Sequence, residues 1–394
     1  DFVAAAAAAA GAGDQDGAAP PAGPSPALKV YVYEPPARFT TGLLRGHGRG
    51  DVDVLAMGYA DLQAKLWFGA SEVLFHKWLL QDAPPGLVTA DPREADLFFV
   101  PFYSAQQRRG EHDEGVSFEH MLAWLRDPRG GGGWHGRLGG ADHVWLLGRG
   151  VWSAYTAFET PVEEVMRGHK DIIIGYNFAE IGRHIADEWN LARLVYVPWV
   201  PFTRGSPGVP PAPGPEVARP FLASFIGGAV TLQRVALVEE LRAMPNVYVD
   251  SFCFSSRNQY TKALSGRKKG SAMMADASSV YASSDFCLCP SGDWGPEKRF
   301  FDAIAALCIP VLLELSRERI LPFARAIDWD AVVVVAEGVT DDGVGSDRGK
   351  IAAFLRELER MPLEEKVARR RALEKARSHL RWRPGGQNVF THVV

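Results

Sequence analysis

The chain has 394 residues, 47% of them hydrophobic and 23% charged, the usual balance of a globular protein and too long a chain for one compact core, so two domains are expected. A net charge of −4 gives no overall basic field and excludes nucleic acid as an expected partner. Four cysteines are too few for a disulfide scaffold.

Residues 1–26 are alanine, glycine and proline with few large side chains, and are expected to form a disordered tail or stem. Within them "DFVAAAAAAAGAG" is too short to span a bilayer. It reads either as the end of a longer membrane anchor or as alanine-rich low-complexity sequence. The fold begins at "KVYVY" (29–33), an apolar run suited to a strand buried on both faces. Runs of the same kind follow at "ADLFFVPFY" (95–103), "HVWLL" (143–147) and "DIIIGY" (171–176). Between them "SFEHMLAWL" sets Phe118, Met121, Leu122 and Leu125 at helical spacing, a stripe that faces a core.

The proline- and glycine-rich stretch 204–219 has no periodicity and reads as a linker between domains spanning 27–203 and 220–382. Alternation then resumes. "FLASFIGG", "NVYVD", "SDFCLCP", "IPVLLE" and "AVVVVA" read as strands, and "LQRVALVEELRA" and "EKRFFDAIAAL" as helices. Residues 347–382 are helical in pattern with a break at Pro362, and 383–394 read as a tail. The basic runs Arg267–Lys269 and Arg369–Arg371 read as solvated faces. Strands alternating with helices on both sides of a linker predict an α/β fold of two mostly parallel sheets, with ligands bound beyond the carboxyl ends of the strands.

Cys287 and Cys289 point to opposite faces of one predicted strand, a poor arrangement for chelating a metal. Each cysteine reads as a buried thiol, and an oxidising compartment would permit one bridge, Cys287–Cys308 or one involving Cys253. The stretch "CLCPSGDWGPEKRFFDAI" (287–304) carries the chemistry. Ser291 and Gly292 make a turn after the strand, and Pro296 suits the first position of a helix. Glu297, Lys298 and Arg299 then stand at the helix terminus that attracts anions, and the planar fork of Arg299 suits a phosphate. A nucleotide-sugar diphosphate fits such a site. Gly227 and Gly228, followed by Arg234, could meet the same diphosphate from a neighbouring strand, while Glu297 or Glu314 could accept hydrogen bonds from ribose or sugar hydroxyls. A surface helix merely solvated by its charges is the plainer alternative.

The same stretch, continued through "CIPVLLE", resembles the signature of the exostosin family, glycosyltransferase family 47. "KVYVYEPPARF", "DPREADLFFVPFYSA", "GGADHVWLLGRGVW", "KDIIIGYNF", "RPFLASFIGG" and "PFARAIDW" continue the match in family order, so that it covers roughly residues 29–340. The resemblance implies a GT-B fold of two Rossmann-like domains, the first on the acceptor side and the second binding the nucleotide sugar. It further implies a Golgi-lumenal enzyme on a single amino-terminal anchor that moves a sugar, usually from UDP, to a polysaccharide or glycan with inversion, alone or as a homo- or hetero-oligomer. Carried over by position, Arg299, Asp302, Ser291 and Gly292 fall in the donor site, and Asp302 reads equally as a structural group salt-bridged near Arg299.

An inverting transfer needs a general base from the first domain. Glu34, just after the first strand, is the candidate base, and Ser104 and Gln106 are candidates for acceptor binding. Asp142 and His143 open their strand at the wrong end and read as structural. No metal or other cofactor is expected to be required: "DVD" at 51–53 has metal-motif spacing but lies in a glycine- and arginine-rich loop, which leaves charge neutralisation to Arg299, Lys298 and the helix terminus. The chain departs from the family pattern at Trp294, Glu297, Lys298 and Leu307. These departures give the alternative its content: a catalytically inactive subunit that binds glycan or supports a partner. A phosphotransferase would want a Gly-x-x-x-x-Gly-Lys loop, which is absent, and a glycosidase built on Glu34 and Glu297 would leave the anion site without a use.

Overall fold

The computed structural model describes residues 28–45, 53–66, 69–106, 116–148, 170–175, 194–201, 212–228, 232–252, 272–290, 298–313, 321–337 and 349–393. Two compact units divide the chain, one comprising residues 1–197 with 382–394 and the other residues 198–381.

The first unit is built on strands β1 (Val30–Val32), β2 (Val88–Thr89), β3 (Leu97–Val100), β4 (His143–Leu147), β5 (Ile172–Gly175) and β6 (Leu194–Tyr196). They form one sheet in the order β2-β1-β3-β4-β5-β6, and every pairing is parallel. β3 and β4 are buried at every position, which is why they read as unbroken apolar runs rather than as alternation. Ahead of β4 this unit carries the helices α1 (Thr41–Arg45), α2 (Tyr59–Leu66), α3 (Ala70–Gln81) and α4 (Phe118–Arg126). In α4 the expected stripe Phe118, Met121, Leu122 and Leu125 is buried, and Ser117 caps the helix by accepting from the amide of His120.

The second unit carries β7 (Phe221–Gly228), β8 (Val247–Phe252), β9 (Ser284–Cys289), β10 (Ile309–Leu313) and β11 (Val334–Ala336), all parallel, in the order β11-β10-β9-β7-β8. Its described helices are α5 (Leu232–Arg242), α6 (Ala272–Ala282), α7 (Lys298–Ala305), α8 (Trp329–Val332), α9 (Lys350–Glu359) and α10 (Leu363–His379). Both units are therefore parallel α/β layers, as the alternating pattern predicts. A disulfide joins Cys287 of β9 to Cys308 ahead of β10, while Cys289 is a buried free thiol; Cys253 lies outside the described residues.

Four details differ from the sequence reading. The run "AVVVVA" is divided: Asp328 caps α8 by accepting from the amide of Ala331, and the strand begins only at Val334. Residues 383–394 are no tail, because helix α11 (Val389–Val393) belongs to the first unit and its Phe390 stacks on Trp78 at 5.2 Å, with Phe75, Tyr59 and Trp382 around it. The division between units falls at Val197, ahead of the proline-rich stretch. The described part of that stretch, 212–219, is held to α10, where Arg370 donates to the carbonyls of Pro215 and Val217 and Arg371 pairs with Glu216. The basic run 369–371 is a solvated face only in part: Arg371 is exposed, but Arg369 donates to the carbonyls of Asp330 and Val333, and Arg370 is fully buried in an ion pair with Asp285. Arg267–Lys269 lie outside the described residues.

Candidate active site

In the second sheet the chain leaves β7 for β8 on one side and returns for β9 on the other. The carboxyl ends of β7 and β9 thus form the point where strand order reverses, the place at which open α/β sheets hold ligands. Gly227 and Gly228 end β7, and Pro290 follows β9. Arg299, in the first turn of α7, reaches this point. Its Nη1 donates to the carbonyl of Pro290 at 3.3 Å, and its guanidinium lies 5.3 Å from the centre of the Phe225 ring. A Cβ at position 227 would stand 2.7 Å from Nη2 of Arg299, so the glycine lets the guanidinium pass over the end of the strand. Phe300, Phe301 and Ile304 turn into the core, which fixes the face that α7 presents.

Lys298 and Asp302 are engaged with each other, the structural reading of Asp302 with Lys298 as the partner. One helical turn apart, they form an ion pair with Nζ 2.5 Å from Oδ2, and both side chains are largely buried. Burial pushes the Lys298 ammonium down to about 8, with Asp302 opposing the shift. The pair offsets its own charge, and Arg299 is the residue of this turn that reaches the strand ends. Ser291, Gly292, Glu297 and Glu314 lie outside the described residues. So does the side chain of Arg234, although α5, which carries it, is described.

The first sheet has the same reversal at β1, between β2 and β3. Glu34 stands exposed just beyond the carboxyl end of β1, at the expected edge. Ser104 and Gln106 follow β3 but are corrected by burial, at 0% and 2% exposure. The Ser104 hydroxyl donates to Oε1 of Glu72 at 2.7 Å, and Gln106 packs so closely on Gly69 that a Cβ there would lie 2.0 Å from its Nε2. Both side chains are thus engaged within the packing of the first unit. Glu72 itself, on α3, has no signal in the sequence beyond a charge inside an apolar run.

Asp142 and His143 are structural, as expected. The His143 ring stacks on Phe98 at 4.8 Å, with Nδ1 2.8 Å from Asp142 Oδ1 and Nε2 2.9 Å from the Tyr33 hydroxyl. Burial pushes the His143 imidazole down, against the pull of Asp142. Burial works to raise Asp142, but its bonds to His143 and Arg137 hold the carboxyl below its ordinary value. On α3, Nδ1 of His76 lies 2.8 Å from the hydroxyl of Tyr103, and burial pushes that imidazole down to about 4. Among the described residues no group of three His, Cys, Asp or Glu side chains is arranged to hold a metal ion.

Comparison with known proteins identifies relatives of the chain. A probable arabinosyltransferase of Arabidopsis thaliana, ARAD1, is 26% identical over 354 residues, covering 82% of this chain and 68% of that protein. A probable glucuronosyltransferase of Oryza sativa subsp. japonica is 28% identical over 328 residues, covering 80% of this chain and 67% of that protein. The solved structure of WaaG, a glycosyltransferase involved in lipopolysaccharide biosynthesis, is 12% identical and covers 90% of this chain and 95% of that one with a TM-score of 0.38. The Exostosin GT47 domain matches residues 24–339, from the approach to β1 through β11, and the chain therefore belongs to the exostosin GT47 family of glycosyltransferases.

Proposed function

We propose that the chain transfers a sugar from a UDP-sugar to a hydroxyl of a polysaccharide or glycan, with inversion at the anomeric carbon. The carrying observation is the position of Arg299, where the strand order of the second sheet reverses. In this reading the second unit binds the donor and the first unit the acceptor. As the acceptor oxygen attacks the anomeric carbon, the bond from that carbon to the diphosphate breaks and its electron pair leaves with UDP. Arg299 meets the charge that develops there, and Glu34 takes the proton of the attacking hydroxyl. Gly227 and Gly228 give the diphosphate close access to the backbone, and Arg234, Ser291, Gly292, Glu297 and Glu314 stay with the donor side. No divalent ion is required in this reading, since the guanidinium supplies the positive charge.

The disulfide Cys287–Cys308 supports an oxidising, secretory compartment, and we read the enzyme as lumenal in the Golgi. Among the described residues no helix is long and apolar enough to cross a membrane. An amino-terminal anchor and an oligomeric state belong to the same reading; membrane fractionation and light scattering test them. The inactive-subunit alternative has no observation in its favour, because Lys298, one of the departures that suggested it, is accounted for by its pairing with Asp302.

The test is a panel of UDP-arabinose, UDP-glucuronic acid, UDP-galactose and UDP-xylose against xyloglucan, xylan and arabinan oligosaccharides. Transfer with release of UDP is expected for one pairing. Arg299→Ala is expected to lower its kcat about 10²–10³-fold without moving the thermal melt. Retained turnover in the folded variant sinks the reading.

A further inference from the structure

Glu72 is a charged group sealed into an apolar helix. Residues 70–75 of α3 are all buried, and Glu72 is 2% exposed. A carboxylate in such a place is tolerated only when its oxygens are hydrogen-bonded. Oε1 accepts from the Ser104 hydroxyl at 2.7 Å and from the amide of Gly148 at 2.8 Å, while the amide of Ala105 lies 3.2 Å from Oε1 and 3.1 Å from Oε2. Ser104 and Ala105 belong to the turn after β3, and Gly148 is the first residue after β4. These strands are neighbours in the sheet, so one carboxylate ties together two adjacent loops at the carboxyl edge.

The fit around it is close. A Cβ on Gly148 would come within 3.0 Å of Ser71 Oγ and 3.1 Å of both Ala105 Cβ and Glu72 Cγ, which makes glycine the residue that fits there. One helical turn further along α3, His76 takes the hydroxyl of Tyr103, so the same helix face holds the loop at a second point. Asp142 offers a contrast. It is also a buried, fully engaged carboxylate, but it precedes β4, at the sheet edge away from ligands.

We propose that Glu72 is a positioning residue for the acceptor: by holding residues 103–105 and Gly148 it sets the backbone that directly follows β3 and β4, against which the acceptor lies. This rests on the reading that the first unit binds the acceptor. Glu72 touches no reacting atom. Its loss should loosen both loops together, misplacing the acceptor while leaving the donor site, which lies in the other unit, unchanged.

The experiment compares the full chain with Glu72→Gln and Ser104→Ala. The glutamine keeps the shape but sets an NH2 group against donors; the alanine removes one bond of the set. Readouts are kcat and acceptor KM for the donor and oligosaccharide pairing that the panel identifies, the Kd for UDP by calorimetry, and hydrogen exchange at the amides of Ala105 and Gly148. Glu72→Gln is expected to raise acceptor KM about tenfold with the UDP Kd within about twofold of wild type, Ser104→Ala to raise KM about threefold, and both to speed the two amides. Faster exchange with an unchanged acceptor KM would make Glu72 a structural clamp and overturn the proposal, as would parallel loss of UDP affinity. If Glu72→Gln does not fold, Ser104→Ala decides on the same readouts. A wild-type chain that neither binds UDP nor transfers takes the transferase reading down and this proposal with it, whereas wild-type transfer with an unchanged KM in both variants removes this proposal alone.

Discussion

One added methyl group isolates what the donor-side geometry contributes. At Gly227 a Cβ would lie 2.7 Å from the guanidinium of Arg299, the far end of a flexible side chain, so the fold adjusts by moving the arginine rather than the strand. Gly227→Ala is therefore expected to lower kcat with UDP-sugar by about 10-fold to 100-fold, since small misplacements of a catalytic group are costly. Its thermal melt should stay near wild type, and equal turnover in the alanine variant would mean that the position of the guanidinium does not matter. The place of Arg299 beside the strand ends was legible because a strand, a glycine-containing turn and a helix start follow one another in the sequence. A structural ion pair for Asp302 was legible as well, though its partner is Lys298, four residues away, and the sequence reading sets it near Arg299. Ser104, Gln106 and Glu72 were not legible. Whether a turn folds back beneath a helix depends on long-range packing, and no local pattern separates a buried glutamate from a solvated one.

The elements were legible wherever burial on both faces writes a continuous apolar run, as in β3, β4, β9 and β10. Short edge strands such as β2 carry too few residues to signal. The end of α7 shows what pattern reading leaves out. The amide of Leu307 bonds to the carbonyl of Ile304 and that of Cys308 to the carbonyl of Ala303, the pairing of a Schellman motif, which sets Leu307 in the left-handed position with φ of 56°. A leucine there costs about 1–2 kcal/mol relative to glycine. It is retained because its side chain is 1% exposed and the next residue is tied to β9 by the disulfide. Two substitutions separate these effects. Leu307→Ala and Leu307→Gly should both destabilise the second unit by about 2–5 kcal/mol through loss of the buried side chain. The glycine variant should nevertheless be the more stable of the two by about 1 kcal/mol, the reverse of the usual helix ranking, because only it relieves the backbone. Urea unfolding of both variants checks the order, and alanine at or above glycine would remove the left-handed assignment.

At the scale of the molecule the two units carry different vulnerabilities. His76 and His143 lie in the first unit, and burial holds both imidazoles below their ordinary value, His76 at about 4. As pH falls below about 6.5 the unfolded chain takes up protons that the folded unit refuses, so stability is full above that pH and is lost as pH drops toward about 4. The second unit holds the Cys287–Cys308 bridge, whose removal should cost about 3 kcal/mol by restoring freedom to the unfolded chain. The carboxyl-terminal segment adds a third lever. Phe390 is fully buried against Trp78 and Phe75, so Phe390→Ala should lower the first unit by about 3–5 kcal/mol although it sits four residues from the end of the chain. Calorimetry of the full chain should then resolve two transitions that respond separately. Phe390→Ala should lower one of them and a thiol reductant only the other, while acidification from pH 7 to 5 should lower both, because burial also holds the His379 imidazole of the second unit below its ordinary value. In the proposed reading, which gives the donor to the second unit, UDP should raise the reductant-sensitive transition. A single transition that answers to acid, reductant and UDP alike would mean that the units unfold as one, and the assignment of donor binding to the second unit would lose its independent support.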